Sequence, residues 1–144
     1  MALKKTKLEI NSRIEYIGTD EECDDIKSLS EAFCRTNGNE MRITYDNIFE
    51  GKKIGTVSII FDKTDKDCVT IVKHGECECI YVYGKDMRHT ASFSAGGISF
   101  EIVIVTNKIE NTLSEDGGKL IIESTIENGG CEIEHADIEI NMYV

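Results

Sequence analysis

The chain of 144 residues is 40% hydrophobic and has a formal net charge of −11, which fits one folded domain over residues 1–144. This excess of negative charge would be repelled by the phosphates of nucleic acids and by anionic membrane surfaces, so we expect neither as a partner. The N-terminal sequence lacks the apolar core of a signal peptide and no run reaches the length of a membrane-spanning helix, so we expect a cytoplasmic protein with free thiols.

The first part of the chain contains two candidate strands separated by an acidic turn. Residues 5–17 alternate weakly between apolar and polar, and the stretch GTDEECDD that follows has the composition of a turn or loop. Residues 26–36 are ambiguous, because Ile26, Leu29 and Phe33 have helical spacing whereas alternate residues would form one face of a strand. We favour the strand.

Turn signals divide the rest of the chain into a succession of short strands. Asn-Gly pairs at 37–38 and 128–129 predict hairpins, because these residues accept positive φ at low cost. In the last run the alternation changes phase after Ile133, which predicts a β-bulge near Glu134–Ala136. The other predicted strands include residues 41–45, 57–61, 68–74, 76–83, 87–94, 97–106 and 120–126.

This pattern gives nine or ten strands and no convincing long helix. An open up-and-down sheet would leave two exposed edges, and closing the sheet removes them. We therefore predict an all-β fold in which an antiparallel meander closes into a barrel of about 8–10 strands. A sandwich of two sheets is the alternative, because alternation alone does not separate the two architectures.

Several segments of the chain resemble the YwiB-like family, small bacterial proteins of unknown function. These segments are ITYDN at 43–47, VKHGE at 72–76, YVYGKDMRHT at 81–90 and GISFEIVIVTNKI at 97–109. The resemblance covers nearly the whole chain, and it implies a lipocalin-like (calycin) barrel and a bacterial origin. It implies no activity, because the family has none assigned.

Cys77 and Cys79 are the sharpest candidates for a metal or redox site. Residues two apart in a strand face the same side with backbones about 6.6 Å apart, so two thiolates could begin a zinc or copper site. Structural zinc usually requires wider cysteine spacing on a turn and a second pair of ligands. We therefore interpret both cysteines as small apolar wall residues and expect neither a metal nor a cofactor.

No arrangement typical of catalysis is visible. The three histidines, His74, His89 and His135, are dispersed, and the sequence contains no nucleophile elbow, HExxH motif or phosphate-binding loop. The stretch DKTDKD at 62–67 lacks the central glycine and terminal glutamate of a calcium loop, so we interpret it as a charged turn. We expect no enzymatic activity and name no catalytic residue.

Two binding functions fit the predicted barrel. The first is a module that holds a small apolar or amphipathic ligand inside the barrel, because a closed wall with a one-sided apolar stripe encloses an interior. The expected ligand contacts are Tyr45, Tyr81, Tyr83, Arg88, Ile98, Phe100, Ile102 and Ile104. The second is an acidic protein–protein interaction module without a ligand, which contacts a basic partner. The protein is expected to be a monomer or a homodimer.

Overall fold

The computed structural model describes residues 2–18 and 23–144, which form ten β-strands. The strands are β1 Ala2–Tyr16, β2 Asp24–Asn37, β3 Glu40–Phe49, β4 Lys52–Asp62, β5 Asp65–Gly75, β6 Cys77–Gly84, β7 Arg88–Ala95, β8 Ile98–Asn111, β9 Gly118–Asn128 and β10 Cys131–Tyr143. These residues include no helix that is long and apolar enough to cross a membrane. Residues 19–22 of the predicted acidic turn lie outside the described part of the chain.

The ten strands form one closed barrel in which each strand pairs antiparallel with its neighbours in sequence. β1 closes the barrel by pairing with β10, from Lys7 opposite Tyr143 to Tyr16 opposite Glu134. Because the sheet is continuous around the barrel, the prediction of a closed antiparallel meander is confirmed and the two-sheet sandwich is excluded.

The turn signals in the sequence fall where the chain reverses. Gly38, between β2 and β3, has φ 63°, and Gly129, between β9 and β10, has φ 62°, as both Asn-Gly predictions require. The register of β10 against β9 shifts between Glu132 and Glu134, so the predicted bulge is present slightly earlier than expected. The ambiguous residues 26–36 belong to strand β2.

Alternate side chains along each strand point into the barrel, and these side chains form its core. The largest fully buried side chains of the core are Leu8, Met41, Ile43, Ile59, Val69, Ile104, Leu113, Leu120, Ile122 and Ile140. A fully buried aliphatic side chain contributes about 1.5–3 kcal/mol relative to an exposed one, so this interior is the main source of stability.

The loop between β8 and β9, residues 112–117, covers one end of the barrel. Leu113 is fully buried, and its carbonyl oxygen accepts a hydrogen bond of 2.7 Å from Nζ of Lys66 on β5. The carboxylate of Glu115 accepts hydrogen bonds from Thr36 at 3.0 Å and from Lys63 at 2.9 Å. These bonds attach the loop to β2, to β5 and to the turn between β4 and β5, and we call this end the closed end.

The hydrogen-bonded ladder is incomplete at two places in the wall. β2 pairs with β3 only where residues 32–37 face residues 40–45, so the described residues give the β2 segment 24–31 no partner on that side. β6 pairs with β7 only where residues 77–79 face residues 93–95. The first gap leaves a free stretch of strand edge, and the second leaves a slit within one hairpin.

Candidate functional site

The candidate site lies at the end of the barrel opposite the loop 112–117. Strand β8 shows the difference between the two ends, because its inward-facing side chains become steadily more exposed toward this end. Ile104 is 0% exposed, Ile102 6%, Phe100 45% and Ile98 67%. Four inward-facing positions on one strand therefore lead from a packed core to a rim that residues 2–18 and 23–144 leave uncovered, and we call this end the open end.

An aromatic pair forms part of the rim of the open end. Phe93 on β7 lies directly opposite Phe100 on β8, and their ring centroids are 5.1 Å apart with the planes inclined at 37°. Such a tilted arrangement is favourable between aromatic rings. Phe93 also faces Cys79 across the β6–β7 ladder, so the rim is apolar on this side.

Three tyrosines line the interior below the rim. Tyr45 and Tyr83 pack against the core, and Tyr81 packs beside Ile102 and Ile104. Burial raises the pKa of Tyr45 to about 12. Burial also raises the pKa of Tyr81 and of Tyr83, and for Tyr81 the neighbouring thiol of Cys79 adds to the effect. All three side chains are therefore neutral at physiological pH, with hydroxyls able to donate or accept hydrogen bonds.

Glu134 places a carboxyl group among these apolar residues. It lies on β10 directly opposite Ile126, which packs against the interior cluster that contains Tyr83. Glu134 is half-buried, and burial raises the pKa of its carboxyl. Its charge in turn contributes to the raised pKa of Tyr83. Within residues 2–18 and 23–144, Glu134 forms neither an ion pair nor a side-chain hydrogen bond, so its polar atoms are available to a ligand.

Cys77 and Cys79 share one face of β6, as the sequence predicted, and the structure shows that this face is the inward one. Cys79 is buried, which raises the pKa of its thiol, and Cys77 is half-buried nearer the rim. Both thiols are free. In the part of the chain that the structure describes, no three His, Cys, Asp or Glu side chains come close enough together to hold a metal ion.

The structure brings most of the predicted ligand contacts to the interior, but at different depths. Ile98 and Phe100 lie at the rim, whereas Ile102 and Ile104 are enclosed in the core. Tyr45, Tyr81 and Tyr83 are half-buried and pack against the core residues. That these residues bind a ligand stays a prediction.

Arg88 requires a correction, because it lies on the outer wall and not in the interior. Its position on β7 is three residues from the inward-facing Ala91, and the two-residue period of a strand turns it outward. Both terminal nitrogens of its guanidinium donate to the Glu127 carboxylate, at 3.0 Å and 2.6 Å. This pair raises the pKa of Arg88 and lowers that of Glu127.

Sequence reasoning missed Phe93 and Glu134. Phe93 shares the inward face of β7 with Ala91, but the polar residues around it hide the alternation of this strand. Glu134 follows the bulge in β10, and a bulge reverses the face of every later residue. A bulge predicted one position too late therefore places Glu134 on the outer face of the barrel. Only the exact position of the bulge would have shown that Glu134 faces the interior.

Three grooves lie on the outer wall. One, of about 470 Å³, runs over the slit between β6 and β7 and is lined by His74, Glu78 and His89, with Cys79 and Ala91 from the inward-facing set at its base. A second, of about 420 Å³, includes Leu3 and Phe33. The third, of about 410 Å³, is lined by four carboxylates together with Arg13 and Lys27 and by neutral side chains. The first is notable because interior residues reach it through the wall.

The fold and this site define a small closed antiparallel β-barrel with one covered and one open end. Residues 9–140 match the model of the family described as "Domain of unknown function (DUF1934)", and the chain belongs to this family. The crystal structure of the YwiB protein from Bacillus subtilis is similar over 98% of this chain and 92% of that chain, with a TM-score of 0.79 and 17% sequence identity. No curated protein matches the sequence. The predicted YwiB-like barrel is thus confirmed.

Proposed function

We propose that the open end of the barrel binds a small apolar or amphipathic molecule. The observation that carries the proposal is the exposure of inward-facing apolar side chains at this end, above all Phe100 at 45% and Ile98 at 67%. Covering an apolar surface inside a concave rim is favourable, because burial stabilises by roughly 25 cal/mol for each Å² of apolar surface removed from water. Such a site, with a few polar groups around it, is typical of small-molecule binding.

The ligand is expected to lie higher in the barrel than the sequence suggested. Ile102 and Ile104 are packed against Ala91 and Tyr83, so they form the floor of the site and not its walls. The walls are the aromatic pair and Ile98, with the tyrosines at the base. This geometry favours a compact ligand or the end of a longer one.

The polar part of the ligand is expected to be a hydrogen-bond donor or a cation. Glu134 is half-buried without an ion pair among the described residues, and a second carboxylate beside it would repel its charge. An amine could pair with Glu134 and contact the faces of nearby aromatic rings. The tyrosine hydroxyls can satisfy other polar atoms of the ligand.

Binding can be tested with the neutral apolar dye N-phenyl-1-naphthylamine, whose fluorescence rises in apolar surroundings. We expect Phe100→Ser to weaken dye binding, because it removes an aromatic wall of the open end. Phe33→Ser is the matched control, since Phe33 is similarly exposed, at 51%, but lies at the outer groove. Loss of the signal in the Phe33 variant with full binding in the Phe100 variant would place the dye outside and refute the proposal.

The role of Glu134 can be tested by displacing the dye with decylamine or decanoate, which have equal chain lengths and opposite charges. We expect decylamine to compete more strongly, and Glu134→Gln to reduce the difference between the two. Equal competition by both compounds in the unmodified protein would refute the preference for cations while leaving apolar binding intact.

A contact between the acidic outer wall and a basic protein is the second candidate. It is supported by the third outer groove, where four carboxylates outnumber the basic side chains of Arg13 and Lys27; the four are Asp25, Glu123, Asp137 and Glu139. Such a contact should weaken steeply as salt is raised, whereas salt-insensitive binding would count against it. The calycin relationship and the cytoplasmic location likewise remain predictions.

A further inference from the structure

The free edge of β2 has the features of a strand that pairs with another strand. The described residues give its segment 24–31 a ladder with β1 on one side, and on the other side β3 leaves it above the pair Ala32–Tyr45. A strand edge without a partner presents backbone N–H and C=O groups that readily pair with an additional strand. Leu29, in the middle of this segment, is 78% exposed.

We propose that this edge pairs with the same edge of a second copy of the chain, antiparallel and about a two-fold axis at Leu29. This register places each Leu29 opposite the other, and it places Lys27 of each copy opposite Glu31 of its partner. On the opposite face, Ser28 lies opposite Ser30. Residues directly opposite in an antiparallel pair share a face, so all these contacts form together.

The charges and apolar residues of the segment favour a second copy of the chain as the partner of this edge. Lys27, Leu29 and Glu31 share the outward face, and only a register centred on Leu29 pairs lysine with glutamate twice while joining the two leucines. A centre one residue earlier, at Ser28, leaves Lys27 opposite Leu29 and sets Asp25 against Glu31, two like charges. The segment is therefore self-complementary in one register, as an interface between identical copies requires.

The side chains of the segment are free enough to make these contacts. Lys27 is 3.8 Å from Glu9 and Glu31 is 3.4 Å from Lys5, but the side chains of Lys27 and Glu31 are 69% and 65% exposed. Such exposed ion pairs contribute little, so each can accept a further partner across the edge. The paired segment is short, which implies a weak dimer that forms at high concentration.

Sedimentation velocity over a concentration series tests the proposal, at low ionic strength and with a reducing agent that excludes disulfide dimers through Cys131. We expect a monomer–dimer equilibrium in the unmodified chain. Lys27→Glu and Glu31→Lys should each weaken the dimer by on the order of tenfold, because each sets like charges opposite one another twice. The double variant Lys27→Glu/Glu31→Lys should restore dimerisation, since it only exchanges the two charges.

Lys108→Glu is the matched control, because it makes the same change of charge on β8, away from this edge. Circular dichroism establishes that each variant is folded. A chain that is monomeric at all concentrations would overturn the proposal. A dimer that the single charge reversals do not weaken, or that the double variant does not restore, would also overturn it.

Discussion

Ile98 and Ile104 show how position along one strand decides the contribution of a side chain. Both lie on the inward-facing side of β8, but Ile98 is 67% exposed and Ile104 is fully buried. Their residue type and alternation are identical in the sequence, so the sequence predicts the shared face and not the depth. Depth depends on which loop covers which end, and that is a property of the assembled barrel.

Replacing each of these isoleucines by alanine measures this difference. Ile104→Ala should lower the free energy of unfolding by about 2–5 kcal/mol, because it leaves a cavity in a packed core. Ile98→Ala should change it by no more than about 0.5 kcal/mol. Urea unfolding at equilibrium measures both values. Similar costs for the two variants would show that the open end is covered.

Tyr45 should make the stability of the barrel sensitive to alkaline pH. Its pKa is raised from 10.0 to about 12 in the folded state. Below pH 10 the folded and unfolded chains both retain the proton of Tyr45, so Tyr45 makes its full contribution to the free energy of unfolding. Between about pH 10 and 12 the unfolded chain loses the proton first, and the free energy of unfolding falls as pH rises.

Tyr45→Phe should therefore lose stability less steeply than the unmodified chain between about pH 10 and 12. Tyr81 and Tyr83 remain in the variant, so the slope should decrease without disappearing. Denaturant unfolding at a series of pH values gives both slopes. Identical slopes would show that the hydroxyl of Tyr45 is accessible to solvent.

Among the strands, the alternation of apolar residues was a sufficient guide to their number and sequence positions. It identified β6 and β7 to within one residue and the start of β8, and it grouped Cys77 with Tyr81 on one face without deciding which face is interior. It left β2 ambiguous, because Leu29 and Phe33 are apolar but lie on the exposed outer face, yet the favoured strand is present. Both residues alternate with the inward-facing Ala32 and Cys34, so their side chains point away from the core.

Close contact between β4 and β5 should make Gly75 one of the least replaceable residues in the strands. It has φ 121°, and a Cβ atom there would lie 2.2 Å from the carbonyl oxygen of Ile54. Gly75→Ala should therefore cost more than about 2 kcal/mol or prevent folding. Gly96→Ala is the control, because Gly96 has φ 59° with no atom within 4 Å of the added Cβ. Its cost should be about 1–2 kcal/mol, from backbone strain alone. Equal decreases in the melting temperature of the two variants would contradict the close approach of β4 to β5 at Gly75.

At the level of the whole molecule, closure follows from the physics of strand edges, which is why it could be predicted. A meander of ten strands has two edges, and pairing β1 with β10 removes both along most of their length. The covered end could not be predicted in this way. The composition of the loop 112–117 indicates a turn but not a cover, because its role depends on contacts with Lys66, Thr36 and Lys63, which are distant in sequence.

The absence of proline has a kinetic consequence for the whole barrel. Proline isomerisation is a common cause of folding phases that last tens of seconds, and this chain has none to isomerise. In a double-jump experiment under reducing conditions, the refolding amplitudes should not depend on how long the protein was kept unfolded. Amplitudes that change over tens of seconds would require another slow step in the unfolded chain.

The slit between β6 and β7 interrupts the backbone ladder that separates the interior from water along most of the wall. Cys79 still pairs with Phe93, but residues 80–84 and 88–92 form no ladder pairs with one another. Side chains therefore close this part of the wall, and the buried Cys79 and Ala91 contribute to the lining of the outer groove. Because no ladder of several hydrogen bonds has to break here, we expect this stretch to admit a small solute such as oxygen more readily than the paired strands do.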